Sequence, residues 1–101
     1  MAKREKIQTT CRCGAVPRFD LGDIRISPEA EDFLKHMHVH PVQLLWLHMS
    51  GQWQSWDAAT NEIALQQGQM VLSRLPLPKR RYLFLATNAE RTTTMIDIRR
   101  R

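Results

Sequence analysis

Acidic residues are scarce at both ends of this chain. Residues 1–18 hold five basic side chains (Lys3, Arg4, Lys6, Arg12, Arg18) against Glu5 alone, and residues 74–101 hold eight against Glu90 and Asp97. The middle is the reverse, with Arg25 and Lys35 against seven acids between residues 19 and 73. This division excludes a uniformly acidic, self-solvating chain. It suits a basic face that meets phosphate or an acidic protein.

Long hydrophobic runs are also missing. A stretch such as Leu44-Leu45-Trp46-Leu47 falls far short of the roughly 20 apolar residues of a membrane span. The basic Met1–Lys6 is followed by no apolar segment, which argues against a secretory signal and predicts a cytoplasmic protein with no membrane partner. Cysteine is limited to Cys11 and Cys13, a spacing poorly suited to an internal disulfide, so a disulfide scaffold is excluded and reduced thiols are expected. What remains is 43% hydrophobic and 25% charged over 101 residues, enough for one globular domain with one core.

Residues 1–17 lack apolar periodicity and read as a flexible basic arm, leaving residues 18–101 as a single compact domain. Phe19, Leu21, Ile24 and Ile26 suggest a short strand from Arg18 to Ile26, broken by a bulge at Gly22. Ser27-Pro28-Glu29 is a helix start: a capping hydroxyl, a proline where no N–H is needed, and an acid at the positive dipole end. Ala30, Phe33, Leu34 and Met37 then form one stripe, and Pro41 closes this helix and opens the next. The second helix carries Val42, Leu44, Leu45, Trp46 and Leu47 and stops at Ser50-Gly51. Trp46 is expected in the core.

A third helix is expected from Ser55 or Asp57 to Gly68, burying Ala59, Ile63 and Leu65 or Gln66, with Trp56 packed at its entrance. Three strands follow near Met70–Leu72, Tyr82–Ala86 and Thr92–Ile98, with turns at Pro76–Lys79 and Asn88–Glu90. The links between these strands are too short for parallel crossovers. The order β-α-α-α-β-β-β therefore predicts an α+β domain with helices on one face of a small antiparallel meander.

An ordered series of short motifs carries a resemblance over roughly 80 residues. The series is Leu21-Gly22, Ser27-Pro28, His48-x-Ser50-Gly51-Gln52-Trp53, Asn61-Glu62, Gly68, Ser73 and Thr87-x-x-x-Arg91-x-Thr93-Thr94. In this the chain resembles small "plasmid-related" proteins carried by plasmids and integrative elements. It departs from their pattern at Gln52 (aspartate there), at Gln54 (glycine there) and in its basic ending Arg99-Arg100-Arg101. The resemblance implies an accessory protein of a mobile element and supplies no catalytic residue.

Several clusters have chemistry to offer. Cys11, Cys13, His36 and His40 are a possible zinc set, but Cys-x-Cys is not the usual finger spacing and no second cysteine pair exists, so no metal and no cofactor are expected. His48 and Ser50 lack a glycine-rich elbow, and His48 reads as a helix-end or partly buried histidine, favoured there if protonated. Trp53 and Trp56 flank a turn and read as gap-filling rather than base-stacking side chains. The basic residues of the last three strands, Arg74, Lys79, Arg80, Arg81, Arg91, Arg99, Arg100 and Arg101, are the candidate nucleic-acid contacts, through backbone phosphates. The leading expectation is thus a non-catalytic protein that binds nucleic acid through this face, or binds a host or plasmid protein. The alternatives are a small ribonuclease-type toxin using Arg80, Arg81, Arg91 and His48, and a protein inhibitor presenting the acidic segment Asp20–Asp57.

Overall fold

The computed structural model describes residues 16–100. Cys11, Cys13 and Arg101 lie outside the described residues, as does all of the expected arm except Val16 and Pro17. Seven elements follow one another: β1 Asp23–Ile26, α1 Pro28–His36, α2 Pro41–Met49, α3 Ser55–Gln67, β2 Val71–Leu77, β3 Arg81–Thr87 and β4 Thr93–Arg100. This is the α+β order that the sequence predicts. β2, β3 and β4 form the antiparallel meander. β1 lies parallel beside β4, giving the strand order β1-β4-β3-β2. The long path through three helices permits that parallel pairing, which a tight turn forbids.

Local chemistry explains where the helices begin. Ser27 Oγ accepts a hydrogen bond from the Ala30 N–H at 3.1 Å, and Glu29 and Glu31 lie in the first turn of α1. Ala30 and Leu34 are buried and Phe33 packs against the core, whereas Met37, expected on the same stripe, is exposed at the helix end. His40 caps α2: its Nδ1 accepts from the Val42 N–H at 3.1 Å, with Pro41 at the first helical position. α2 ends before Gly51, whose φ of 85° is the left-handed geometry that the Ser-Gly stop implies. Trp46 is only half-buried and packs against the core's margin, while Leu45 and Met49 fill its centre. The core is completed by Leu21, Leu83, Leu85, Ile96 and Ile98.

The expected strand from Arg18 is shorter than its pattern suggests. Pairing begins only at Asp23, because Gly22 (φ 69°) turns the chain in against β4 instead of bulging a longer strand. A Cβ at Gly22 would fall on the Thr92 carbonyl. At the far side, Pro76 and Leu77 belong to β2 and not to the turn.

α3 departs furthest from its expected packing. Its buried positions are Asp57, Asn61 and Ala64, while Ala59 and Ile63 are exposed. The reason is that α3 docks against the free edge of β2, where backbone groups need partners. Asn61 Oδ1 accepts from the Leu72 N–H at 3.0 Å and its Nδ2 donates to the Leu72 carbonyl at 2.7 Å. Asp57 Oδ2 accepts from the Arg74 N–H at 3.0 Å. Two residues further along the same edge, Pro76 has no N–H to satisfy. A polar helix face closes this edge because the surface beneath it is polar.

The alternation of side chains across the strands gives the sheet two unlike faces. Val71, Ser73, Leu83, Leu85, Thr87, Thr94, Ile96 and Ile98 are buried on the helix side. Tyr82, Phe84, Met95, Asp97 and Arg99 point the other way, with Arg74 and Pro76 from β2. No helix among the described residues is long and apolar enough to cross a membrane.

Candidate nucleic-acid interface

The pairing of β3 with β4 decides which basic residues meet. Arg81 lies opposite Arg100 and Tyr82 opposite Arg99, so the C-terminal strand delivers its arginines to the end of the sheet that carries the β2–β3 loop. That loop is Pro78-Lys79-Arg80, between the paired residues Leu77 and Arg81. Five of the eight expected contacts therefore converge: Lys79, Arg80, Arg81, Arg99 and Arg100. Arg81 Nε donates to the Pro78 carbonyl at 3.4 Å and its guanidinium lies 5.9 Å from the Phe33 ring centre. Arg99 pairs with Asp97 at 2.9 Å and lies 4.7 Å over Phe84. Lys79, Arg80 and Arg100 are exposed, and none has an ion-pair or side-chain hydrogen-bond partner among the described residues.

The loop backbone is strained as well as basic. Lys79 and Arg80 take φ values of 63° and 57°, a region that costs a residue with a Cβ about 1–2 kcal/mol. Glycine or asparagine is the usual occupant there.

Two other expected contacts sit elsewhere. Arg74, on the outer face of β2, is held by Asp57: its Nε and Nη2 donate to Oδ1 at 3.1 and 2.8 Å. Arg91 lies at the opposite end of the sheet, in the β3–β4 turn. Its Nη1 donates to the carbonyls of Gln69 and Asn88 at 2.7 and 2.9 Å, and its guanidinium packs 5.5 Å from the Phe19 ring centre. Arg91 thus serves the fold by tying α3's exit to the turn.

His48 is also structural, in a way its position on α2 does not disclose. It is 1% exposed, and both ring nitrogens are engaged, Nδ1 with Ser73 Oγ and Nε2 with Thr87 Oγ1. The direction of the bonds follows from donor counting. Thr94 Oγ1 donates to the Leu21 carbonyl at 2.7 Å, so it must accept from Thr87 Oγ1, also at 2.7 Å. Thr87 has then used its proton and accepts from His48 Nε2–H, which leaves Nδ1 to accept from Ser73. Every link agrees with a neutral imidazole. Burial, and secondarily the charge of Arg91, push its pKa down to about 4, so the expected burial is complete and the favour for a protonated ring at the helix end is overturned. Trp53 locks the same region, donating from Nε1 to the His48 carbonyl at 2.9 Å.

These positions separate the residues of the ribonuclease reading: Arg80 and Arg81 at one end of the sheet, Arg91 at the other, and His48 sealed beneath it. The acids of the middle segment are partly spent too, Asp57 on Arg74 and Glu62, just beyond that segment, on Arg18 at 2.7 Å. His36 engages the Asp32 carbonyl at 2.9 Å and His40 caps α2. Among the described residues, no three His, Cys, Asp or Glu side chains come together in a metal-holding group.

Trp56, expected as a gap-filling side chain packed at the entrance of α3, is instead 50% exposed on that helix's first turn and faces the outer side of the sheet. The signal available was Asp57 beside it: a helix that turns this acid toward the strand edge turns its neighbour outward. Comparison of the chain with protein-family models, curated proteins and solved structures returns no match.

Proposed function

We propose that this is a non-catalytic accessory protein of a mobile element that binds nucleic acid through phosphate contacts at the basic end of its sheet. The mobile-element setting rests on the motif resemblance alone. The binding reading is carried by one observation: Lys79, Arg80 and Arg100 are gathered at one end of the sheet with neither acid nor carbonyl among the described residues to absorb their charge. Like charges held together disfavour the folded state unless a counterion or ligand offsets them. The backbone under Lys79 and Arg80 supports the same reading. Arg91 has a left-handed φ too (59°), but its side chain is tied to two carbonyls. The strain at Lys79 and Arg80 comes with no side-chain bond among the described residues, and strain of this kind collects at functional positions.

Phosphate contacts release counterions, so binding weakens steeply with salt. Fluorescence anisotropy with a labelled oligonucleotide tests this across a salt series. The combined variant Lys79→Gln, Arg80→Gln, Arg100→Gln is expected to bind more weakly and to flatten the slope of log affinity against log salt by about 0.7–0.9 per lost contact. Absence of binding by the unaltered protein at about 50 mM salt, where screening is weak, sinks the proposal.

A further inference from the structure

A cleft of about 370 Å³ opens on the outer face of the sheet, lined by Trp56, Arg74, Pro76 and Tyr82. Its walls come from two elements that α3's docking brings together. Asp57 and Asn61 fix α3 on the β2 edge, and this holds the neighbouring Trp56 beside the strand residues Arg74 and Pro76. Tyr82 faces Pro76 directly across the β2–β3 pair. Behind Tyr82, Phe84 meets it edge to face at 6.3 Å between ring centres, and Arg99 lies over Phe84. The cleft is thus an aromatic and proline-walled slot with one guanidinium, Arg74, held in a fixed plane by two bonds to Asp57.

We infer that this cleft takes an unpaired nucleobase, which makes the protein a binder of single-stranded rather than duplex nucleic acid. The inference rests on the phosphate-binding reading above and names its substrate class. Three observations point to this occupant. Trp56 is half-exposed, and a large indole kept at the surface beside a tyrosine offers the flat faces on which bases stack whatever their sequence. The Pro76–Tyr82 pair lies one register step, about 3.3 Å along the strand, from Leu77–Arg81, where the loop that carries Lys79 and Arg80 begins. A base in the slot then places its own phosphate within reach of Lys79 and Arg80. Arg74's charge is matched by Asp57, so the cations that suit a polyanion and disfavour the chain's own basic residues 1–18 as an occupant are those of the neighbouring loop, Lys79 and Arg80. A duplex keeps its bases stacked on one another and cannot fill the slot without unpairing.

Four labelled probes test this on the full chain by anisotropy at fixed salt: three single strands of about 12 nucleotides and equal phosphate number (oligothymidylate, oligouridylate and a strand of abasic sites), within the span of known single-strand sites, and a duplex of the same length. The unaltered protein is expected to bind the thymidylate or uridylate strand at least about tenfold more tightly than the abasic strand, the scale of one stacked base. The tighter of the two identifies DNA or RNA as the source of the base. Trp56→Ala and Tyr82→Ala should each remove about that factor for the single strands, with duplex affinity and salt slope unchanged. Trp56→Phe, which keeps a ring and the packing, should retain most of it, and Ile63→Ser, on the exposed side of the same helix, should change nothing. Equal binding of abasic and base-bearing strands overturns the inference while leaving the phosphate reading intact, and needs no variant to fold. No binding of any probe by the unaltered protein overturns both.

Discussion

The two ends of the sheet treat their arginines in opposite ways. At the β3–β4 turn, Arg91 gives its hydrogen bonds to two carbonyls and its flat face to Phe19. At the β2–β3 loop, Lys79, Arg80 and Arg100 give theirs to no acceptor among the described residues; Lys79 and Arg80 share Arg91's left-handed backbone (φ 63°, 57° and 59°), so the ends differ in partners and not in strain. A count of charge over residues 74–101 treats these as equals. Their surroundings show that one arginine is a fastener of the fold and the others are left for solvent or a ligand. The same contrast governs what mutation should do: cost at the fastened end, little cost or even gain at the open one.

The largest effect is expected beside the fastened end, where the loop before β1 meets Thr92. Gly22 combines a φ of 69° with a Cβ position already occupied by the Thr92 carbonyl. Gly22→Ala should therefore cost about 2–5 kcal/mol, left-handed strain plus overpacking against a backbone that cannot move alone. Urea unfolding measures it, and a loss below about 1 kcal/mol would mean that β1 shifts freely relative to β4.

Acid should loosen the same end. His48 is neutral in the fold with a pKa of about 4 against an ordinary 6.5. Between those values the unfolded chain binds a proton that the folded chain refuses, so stability is complete above pH 6.5 and falls as the pH drops toward 4. At about 1.4 kcal/mol per pH unit the full loss is about 3 kcal/mol. Most of this window lies above the range where ordinary carboxyls titrate, which isolates the histidine. Urea midpoints at pH 7 and 5 should differ, and the His48 ring resonances should not titrate above pH 5. Pulling a proton onto the ring at pH 6 without loss of stability would break the bonding order assigned to Ser73, His48, Thr87 and Thr94.

Arg91→Gln sharpens the comparison directly. It strips the donor from the exposed Gln69 carbonyl, which water can then satisfy, and from the half-buried Asn88 carbonyl, and should cost about 0.5–1.5 kcal/mol, the net range for ordinary hydrogen bonds. Nucleic-acid affinity of the folded variant should hardly change. A large loss of binding with unchanged stability would return Arg91 to the interface.

The sequence made the helical half of the fold plain because its signals are local. Ser27-Pro28, Pro41 and Ser50-Gly51 each act within one turn of where they stand, and all three mark real boundaries. The polar interior was hidden because its bonds are remote: His48 finds its partners 25 and 39 residues away, and Asn61 finds Leu72 across a helix–strand junction. A periodicity reading looks for apolar stripes and so assigned α3 the face with Ile63, when the surface under α3 is a strand edge that needs hydrogen bonds. The candidate interface was half visible. Basic residues around one hairpin could be read directly, but their meeting with Arg100 depends on strand register, and Arg91's departure from the group depends on carbonyls contributed by other elements. Tyr82-Leu83-Phe84-Leu85 is apolar at every position, so alternation alone could not say which two residues face outward.

The smallest change tests the open end most sharply, because stability and binding should move in opposite directions. Arg80 adopts φ 57° with its side chain exposed and unpartnered among the described residues. Arg80→Gly removes the Cβ that makes this geometry costly, a gain of about 1–2 kcal/mol, offset by about 0.5–1 kcal/mol for the extra freedom of glycine in the unfolded chain. The net expectation is a rise in stability of about 0.5–1 kcal/mol. Losing one cation next to Arg81 and Arg100 adds to it in the same direction. Nucleic-acid affinity should fall, with the salt slope reduced by about 0.7–0.9. Arg91 at the fastened end has the same left-handed backbone (φ 59°), but its replacement would also remove two hydrogen bonds, so no such gain is expected there. If Arg80→Gly destabilises the protein, the loop is an ordinary part of the scaffold, and its strain carries no information about a ligand.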